Sequence, residues 1–570
     1  MRALDHETTK PASTTGAVGT IVTRYRHALL PPAGRTAAGS PHRPPLLRSR
    51  RTLLGLLLVS PLASLVSLEQ AHAQEVPDPD VPEPADPLPF PAETPETEFA
   101  QTATPPMLVP AWPSLDTGEV PFRAWHFAEG NSRNGFETYF TLLNLADEPA
   151  SVSAQYNRDD GIRLTQWLGI EPHARLSLNA NDVVGAKAFG ASFFADQDIV
   201  VERTTIWGPG QNGETMVGFA PDGKRTWHFA EGTTRGKVTT YFVTQNLTDA
   251  PASITALFTR DDGSTEQRQF DVPPRGRDAY RVNDLLQDTA FAATFRADQD
   301  IVVERTIMIE GERPPTPRRS RDEDDGPKVL ANGQTDEGSA MLRNSTGIFG
   351  GLGYVGSATD LGSRSWELAE GSTRGPYTTT FVLFNPNDHD TYVRFTFRPE
   401  HGDTRTKAVH LPPVSRLAFD PRDVVPTADF ATSISSDFPI VVERVYASSG
   451  DGLYGALGHT SAAPRKDSHV WYFAEGNTAS QIEMFFILYN FSDRPTQVRS
   501  TYFLEDATTR EQTHPLPAGA RLAVRANDVV AGGLFATRFM ADQNIAVERT
   551  LYLPGGSGFT TVGAGAVRTT

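Results

Sequence analysis

One hexamer occurs four times along this chain. W-H-F-A-E-G begins at Trp125 and at Trp227, W-E-L-A-E-G begins at Trp366, and W-Y-F-A-E-G begins at Trp471. In every copy a V-E-R triplet places its Glu 77 residues after the Trp, with no net insertion or deletion between them. Such fixed internal spacing indicates four copies of one structural unit.

Three other positions recur at constant distances after each Trp: an Asn at +19, an Asp at +22 and an Asp at +57. They are Asn144, Asn246, Asn385 and Asn490; Asp147, Asp249, Asp388 and Asp493; Asp182, Asp284, Asp423 and Asp528. Asn and Asp side chains cap the backbone amides of turns, so we interpret the +19 and +22 positions as turn formers. The N-D-V-V stretch at Asn181 predicts a single helical turn with Asp182 near its cap.

Within a repeat, apolar residues recur with a period of two. T-Y-F-T-L-L-N, S-V-S-A-Q-Y, A-R-L-S-L-N and D-I-V-V-E-R in the first copy are short, rich in β-branched and aromatic residues, and separated by turn signals. Seven or eight strands in about 100 residues predict an all-β fold in which each repeat is an immunoglobulin-like β-sandwich. A small β-barrel is the alternative.

The hexamer itself indicates a core strand. Alternation along a strand places Trp125 and Phe127 on one face, which we expect to be buried. The residue after the Trp is His, His, Glu or Tyr in the four copies, a mixture that predicts a solvent-facing side. We expect Gly130 and its equivalents Gly232, Gly371 and Gly476 to end the strand in a backbone conformation that side chains oppose.

The N-terminal residues predict export. Arg48–Arg51 precede an apolar run that ends in Ala71-His72-Ala73, so residues 1–73 are interpreted as a signal peptide with a long leading region and cleavage after Ala73. Ser49–Leu54 also resembles a twin-arginine signal, and a general secretory signal fits equally well. The mature protein is therefore expected outside the cell or on its surface. Pro61 and Glu69 interrupt the run, so no membrane span is predicted.

The mature chain divides into five predicted segments. A disordered Pro- and Glu-rich linker occupies residues 74–120, because its composition offers little apolar surface to bury. The four repeats occupy residues 121–222, 223–361, 362–466 and 467–570. The second repeat carries an inserted loop at 311–345, which accounts for the longest interval between successive Trp residues. Insertions of this kind are tolerated in surface loops.

Charge and cysteine content exclude several kinds of partner. The chain has a formal net charge of −17, and without residues 1–73 the charge is −23. Nucleic acid and anionic lipid reward basic surfaces, so neither is expected as a partner. There is no cysteine, which rules out disulfides and thiolate metal sites. No cofactor is predicted, and the oligomeric state cannot be inferred.

The recurring acids and arginines are the candidate ligand-binding residues. They comprise the Glu of the hexamer, the Arg eight residues after the Trp, and the Glu and Arg of V-E-R. In chain order they are Glu129, Arg133, Glu202, Arg203, Glu231, Arg235, Glu304, Arg305, Glu370, Arg374, Glu443, Arg444, Glu475, Glu548 and Arg549. The structural alternative is an ion-pair network inside each repeat, because charges near apolar faces persist when they are paired.

Two chemical alternatives receive less support. Glu129 and Glu202 are of the right type for a paired-carboxylate glycan hydrolase, but an adjacent Arg would keep a general acid ionised. No nucleophile elbow or zinc-protease motif is present, so the chain is not expected to be an enzyme. Asp196–Asp198, Asp298–Asp300 and Asp542–Asn544 could be considered for calcium, yet the third copy has Asp437-Phe438-Pro439. A turn before the V-E-R strand is the favoured interpretation.

The W-x-F-A-E-G opening, the L-x-N-x-x-D-x-P turn and the closing I-V-V-E-R strand resemble bacterial cell-surface repeats of uncharacterised function. They are more distantly similar to the sensory rhodopsin transducer family. The resemblance covers residues 125 to about 565 and implies an exported, noncatalytic sandwich that recognises polysaccharide or another surface component. Leu368 and Ala479 depart from the pattern. Tandem display would favour adhesion or carbohydrate binding through avidity, with Tyr472, Trp167 and Trp207 as candidate exposed aromatics; a passive wall spacer is the alternative.

Overall fold

The computed structural model describes residues 123–566 with gaps at 134, 208–211, 221–222, 311–344, 353, 357–361, 376, 449–456, 463–467, 480 and 553–557. All described residues belong to one compact unit. The predicted signal peptide, the linker and nearly all of the inserted loop lie outside the described residues. No helix among the described residues has the length and apolar character that a membrane crossing requires.

Repeat 1 consists of two four-stranded antiparallel sheets that pack around one core. The strand orders are β1-β6-β3-β4 and β5-β2-β7-β8. Their bounds are β1 (Ala124–Phe127), β2 (Glu137–Asn144), β3 (Ala150–Arg158), β4 (Arg163–Ile170), β5 (Arg175–Asn179), β6 (Phe189–Ala195), β7 (Ile199–Trp207) and β8 (Asn212–Val217). A short helix, α1 (Asn181–Val184), follows β5 and has Asp182 in its first turn, as predicted.

Repeats 2 and 3 keep this order, but their sixth and seventh strands are joined in one long strand that pairs in both sheets. Repeat 2 contains β9 (Lys224–Phe229), β10 (Val238–Asn246), β11 (Ala252–Arg260), β12 (Thr265–Val272), β13 (Arg277–Arg281), β14 (Phe291–Glu310), β15 (Ser345–Leu352) and β16 (Tyr354–Gly356). Repeat 3 contains β17 (Ser363–Leu368), β18 (Tyr377–Asn385), β19 (Thr391–Pro399), β20 (Arg405–Leu411), β21 (Ser415–Phe419), β22 (Phe430–Ser448) and β23 (Leu457–Ala462).

Repeat 4 again separates the sixth and seventh strands. Its elements are β24 (Val470–Phe473), β25 (Glu483–Tyr489), β26 (Thr496–Leu504), β27 (Thr509–Leu516), β28 (Arg521–Arg525), β29 (Phe535–Ala541), β30 (Ala546–Tyr552), β31 (Gly558–Val562) and β32 (Ala564–Ala566). In repeats 2 to 4 the place of α1 is taken by 3₁₀ turns over Val282–Asp284, Pro421–Asp423 and Ala526–Asp528. The predicted turn before V-E-R is present in repeats 1 and 4, whereas in repeats 2 and 3 the strand runs straight through.

The prediction of an all-β sandwich is confirmed in all four repeats. The strand order differs from that of an immunoglobulin domain. The first strand pairs with the sixth and the seventh with the second, whereas an immunoglobulin sandwich pairs its first strand with its second and its seventh with its sixth. The likeness to immunoglobulin domains therefore holds for two packed antiparallel sheets and not for their connectivity.

Each repeat has its own core, and the hexamer tryptophan lies in it. Trp125, Trp227, Trp366 and Trp471 are all at most 2% exposed. The Trp125 indole nitrogen donates to the carbonyl of Ile199 at 2.7 Å, and the equivalent bonds in repeats 2 and 4 go to the carbonyls of Ile301 and Ile545. The indole thus links the two sheets by packing and by a hydrogen bond, as Trp burial usually requires.

The recurring Asn at +19 organises two loops at once. Asn144 is fully buried, and its Nδ2 donates to the carbonyls of Glu148, Ile170 and Glu171 while its Oδ1 accepts from the amide of Ala146. Asn246, Asn385 and Asn490 repeat this pattern. The predicted turn role of this Asn is confirmed. The Asp at +22 is exposed, and Asp147 contacts His173 at 2.8 Å.

The glycine that ends the hexamer is required for a different reason from the one predicted. Gly130, Gly232, Gly371 and Gly476 are not among the residues with a positive φ. A Cβ on Gly232 would lie 2.3 Å from the ring of Phe291, and the other three meet an equivalent phenylalanine at 2.6–2.7 Å. The close approach of this ring, rather than backbone conformation, therefore selects glycine.

The four repeats close into a ring. The outer face of the first sheet of each repeat packs on the outer face of the second sheet of the next repeat, as when Ala230 and Ala292 of repeat 2 contact Val382 and Val441 of repeat 3. Repeat 4 does the same to repeat 1 through Ala474 and Ala536. The eighth strands also meet in a cycle, with β8, β15, β23 and β31 each contacting the next and β31 returning to β8.

Ring formation corrects one prediction about the hexamer. The residue after the Trp was expected to face solvent, yet His126, His228 and Glu367 are buried. The Nδ1 atoms of His126 and His228 lie 2.9 Å from the hydroxyls of Ser192 and Thr294 on the neighbouring strand. This side of the strand is covered because the next repeat packs against it.

Candidate functional site

The V-E-R triplets form the first set of inter-repeat ion pairs. The Arg of each repeat bonds the Glu of the next: Arg203 to Glu304 and Arg305 to Glu443 at 2.7 Å, Arg444 to Glu548 at 2.8 Å, and Arg549 to Glu202 at 3.0 Å. The last pair joins repeat 4 to repeat 1 and completes the cycle. The prediction of a network inside each repeat is therefore wrong, because every one of these pairs crosses an interface.

The hexamer glutamates form a second set with arginines that the sequence interpretation missed. Glu129 pairs with Arg277, Glu231 with Arg416, Glu370 with Arg521 and Glu475 with Arg175. Each of these arginines lies 50 residues after the Trp of its own repeat, on the fifth strand. An Arg at the same position in all four copies was a sequence signal as strong as the V-E-R triplet.

Both sets converge on the A-E-G part of the hexamer. At the interface between repeats 1 and 2, the amide of Ala128 donates to Glu304 at 2.7 Å and its carbonyl accepts from Arg277 at 2.9 Å. The carbonyl of Glu129 accepts from Arg203 of its own repeat. The same three bonds recur at the other interfaces, with Glu370 and Glu475 supplying the amide in repeats 3 and 4. The hexamer is thus both a core strand and the docking peptide for the next repeat.

Burial governs the electrostatics of these carboxylates. Removal from water raises the pKa of Glu202, and the facing Arg549 only partly offsets this increase. Burial likewise raises the pKa of Glu129, Glu370 and Glu443 against their arginines. In repeat 1 an additional carboxyl, Glu214 on β8, lies 3.3 Å from Arg203, and burial raises its pKa to about 7. The sixteen charges of the two sets form eight ion pairs, and each buried charge depends on its partner for compensation.

The paired carboxylates considered for hydrolysis are not brought together. Glu129 faces repeat 2 through Arg277, whereas Glu202 faces repeat 4 through Arg549. The D-Q-D aspartates have structural contacts: Asp196 and Asp298 each accept a hydrogen bond from the amide of the serine that is the second residue of the third strand. Within the described residues no three His, Asp or Glu side chains are grouped so as to hold a metal ion.

The Arg at +8 is the most accessible of the predicted site residues. Arg133, Arg235 and Arg374 pair with Asp159, Asp261 and Asp429, and their side chains are 25%, 58% and 56% exposed. Arg235 also lies beside Arg416 and Leu417 of repeat 3, at the edge of the interface between repeats 2 and 3. Ala479 replaces this Arg in repeat 4.

Of the three aromatics predicted to be exposed, one is. Trp167 on β4 is 64% exposed, whereas Trp207 is buried and stacks on Phe136 with ring centroids 6.0 Å apart. Tyr472 packs against repeat 1, and burial raises its pKa. Tyr392 on β19 is a further exposed aromatic at 59%, and it contacts the ring of His410 with centroids 5.1 Å apart.

Trp167 and Tyr392 occupy the same kind of surface in alternate repeats of the ring. Trp167 projects from the fourth strand of repeat 1 and Tyr392 from the third strand of repeat 3, and both lie on the outer face of the first sheet. Trp167 lies opposite Ser153, and its neighbours on the same face, Thr165 and Gly169, are exposed. The indole is therefore a flat apolar surface surrounded by small residues that do not cover it.

Comparison with known proteins gives weak similarities only. No family model matches the chain, and no curated protein matches it in sequence. A protein from Thermotoga maritima, 1070, is 19% identical over 18% of this chain and 96% of its own, with a TM-score of 0.17. The Anabaena sensory rhodopsin transducer is 24% identical over 15% and 99%, with a TM-score of 0.14. A tetra-tandem repeat from the extending region of a large adhesion protein is 11% identical over 75% and 94%, with a TM-score of 0.09. Weak structural neighbours of this all-β repeat chain thus include a sensory rhodopsin transducer and a tandem-repeat adhesion protein.

Proposed function

We propose that this is an exported, noncatalytic surface protein whose ring of repeats binds a neutral polysaccharide through Trp167 of repeat 1 and Tyr392 of repeat 3. The observation that carries the proposal is the pair of exposed aromatic rings on uncovered parts of two equivalent sheet faces. An aromatic ring provides a large, rigid contact area for the apolar face of a sugar ring at low cost in conformational entropy.

The surroundings of Trp167 favour a ligand rich in hydroxyl groups. The exposed Thr165 lies beside the indole, and a side chain at Gly169 would meet no atom within 4 Å, so an extended chain can lie across this strand. The net charge of −17 disfavours an acidic polymer at long range. A neutral polysaccharide satisfies both conditions, and two sites in one ring of repeats would add avidity.

The chain supplies matched substitutions for the test. Position +42, which is Trp167 in repeat 1, is Gln269 in repeat 2, and position +26, which is Tyr392 in repeat 3, is Ser253 in repeat 2. Trp167→Gln and Tyr392→Ser therefore introduce residues that the fold already accommodates. The full chain would be titrated against purified neutral wall polysaccharides by affinity electrophoresis, with circular dichroism to verify folding.

We expect each single variant to weaken binding and the double variant to abolish it. The gain-of-function variant Gln269→Trp, which builds the same surface in repeat 2, should strengthen binding. Wild-type binding that survives in the folded double variant would contradict the proposal, and failure of the wild type to bind any of these polysaccharides would favour the passive spacer. Export is tested separately, by fractionating cells that express a reporter fused to residues 1–73.

A further inference from the structure

A cleft lies at the interface between repeats 2 and 3. Its volume is about 510 Å³, and the residues that matter here are Arg235, Val238 and Asp261 of repeat 2 with Arg416, Leu417 and Ala418 of repeat 3. Ligand pockets in proteins commonly measure about 300–1,000 Å³, so the cleft is large enough for a small organic molecule. It is separate from the aromatic surfaces of Trp167 and Tyr392.

Three charged groups converge in this cleft. Asp261 accepts from Arg416 at 2.7 Å with one carboxylate oxygen and from Arg235 at 3.1 Å with the other. Arg416 is only 2% exposed and also bonds Glu231, so it is fixed in the interface, whereas Arg235 is 58% exposed. The cleft therefore presents one accessible guanidinium whose position is set by a carboxylate that is itself held in place.

A single side-chain difference distinguishes this interface from two of the others. The residue eleven positions after the Trp is Val238 in repeat 2, but it is Phe136 in repeat 1 and Tyr377 in repeat 3. Phe136 stacks on Trp207, and Tyr377 stacks on Tyr446 with ring centroids 5.7 Å apart. Valine is smaller than either ring, which leaves room beside Arg235.

The interface between repeats 4 and 1 differs in another way. It has Ile482 at the same position, and Ala479 stands where the other repeats have the arginine at +8. A small residue at +11 and an arginine at +8 are therefore combined in repeat 2 alone. The two properties that a binding cleft needs here, space and a cation, coincide at one interface of four.

We propose that this cleft binds a small organic carboxylate. The ligand carboxylate would pair with the guanidinium of Arg235, which is suited to bidentate recognition. Its apolar portion would pack on Val238, Leu417 and Ala418, and a hydroxyl group on the ligand could donate to Asp261. The Asp261 carboxylate repels a phosphate dianion more strongly than a monoanionic carboxylate, so phosphate should bind more weakly at the same place.

The test uses the full chain and three probes: benzoate, glucuronate and inorganic phosphate, each titrated by isothermal calorimetry. We expect at least one of the two carboxylates to bind with a dissociation constant in the millimolar range or tighter, and phosphate to bind more weakly. Val238→Phe, which gives repeat 2 the residue of repeat 1, should weaken binding by about tenfold or more, and Arg235→Gln should do the same. Arg374→Gln at the interface between repeats 3 and 4 is the matched control and should leave binding unchanged.

Several results would overturn the proposal. These are the failure of both carboxylates to bind at millimolar concentration, equal binding of phosphate, and carboxylate binding that persists in folded Val238→Phe or Arg235→Gln. A loss of binding in Arg374→Gln equal to that in Arg235→Gln would also overturn it, because the site would then not be confined to this cleft. Polysaccharide binding through Trp167 is measured independently, so either proposal can fail while the other stands.

Discussion

The ion pair that joins repeat 4 to repeat 1 can be tested with Arg549→Met. Arg549 bonds Glu202 at 3.0 Å, the carbonyl of Glu475, and the hydroxyl of Thr561 at 2.9 Å. Neither Arg549 nor Glu202 has any exposed side-chain area. Methionine keeps much of the apolar stem but removes every one of these donors, so the Glu202 carboxylate is left buried without its cation.

The structure sets the size of the expected effect. Removing one partner of a fully buried pair costs about 3–5 kcal/mol of unfolding free energy, because the remaining charge has lost its compensation. Protonation of the Glu202 carboxylate in the variant limits this loss of unfolding free energy. Burial already raises the pKa of Glu202, and Arg549 opposes that increase. Without Arg549, the Glu202 carboxyl group should therefore hold its proton more tightly. The folded state then binds more protons than the unfolded state, and the variant should gain stability as the pH falls from 7 toward 4.5, the ordinary pKa of a glutamate.

The assay is urea denaturation of the wild type, Arg549→Met, Glu202→Gln and the double variant at pH 7 and pH 5. The double variant contains no unpaired charge at this position, so it should be more stable than Arg549→Met by about 1 kcal/mol or more. Arg203→Met, at the interface between consecutive repeats 1 and 2, is the matched control and should lose a similar amount. An Arg549→Met variant within about 1 kcal/mol of wild type at pH 7, or a double variant no more stable than it, would refute the reasoning.

Three further predictions concern single residues. Asn246→Ala removes the donor to three carbonyls at a buried site and should lower the unfolding free energy by about 2–3 kcal/mol in urea denaturation. Asp249→Ala, at an exposed position of the same turn, should have a clearly smaller effect. Burial raises the pKa of Glu214 to about 7, so the native state binds a proton that the unfolded state releases, and wild-type stability should fall as pH rises from about 4.5 through 7. Glu214→Gln should flatten that part of the plot of unfolding free energy against pH, and an unchanged slope would contradict this assignment. Gly232→Ala would place a Cβ 2.3 Å from Phe291 and should lower the unfolding free energy by about 1–3 kcal/mol, with a neutral effect counting against the steric explanation.

The sequence was sufficient to predict the units of this fold. Alternation of apolar residues indicated strands, and the burial of Trp125 followed from its place in that alternation. The loop-organising role of Asn144 followed from the chemistry of its amide group. These inferences succeed because each depends on residues close together in the chain or within a single repeat.

The sequence alone could not show which glutamate pairs with which arginine. Glu202 and Arg203 recur at the same positions in each copy, so pairs within a repeat and pairs between repeats are indistinguishable when only one sequence is read. The buried state of His126 and Trp207 was missed for a related reason, because each is covered by the packing of one repeat on another. The arginine at +50, by contrast, recurs in all four copies, so the sequence alone indicates it as a further candidate partner for the glutamates.

Each repeat carries both halves of the same joint, because each of its two interfaces contains one recurring glutamate and one recurring arginine of that repeat. A head-to-tail contact of this type closes only when its rotation divides a full turn, and here it closes after four steps. The number of copies is therefore fixed by the angle between neighbours, not by the length of the polypeptide. A chain with three copies would be left with two unmatched charged surfaces that could be satisfied only by another molecule, whereas a fifth copy would have no place to dock.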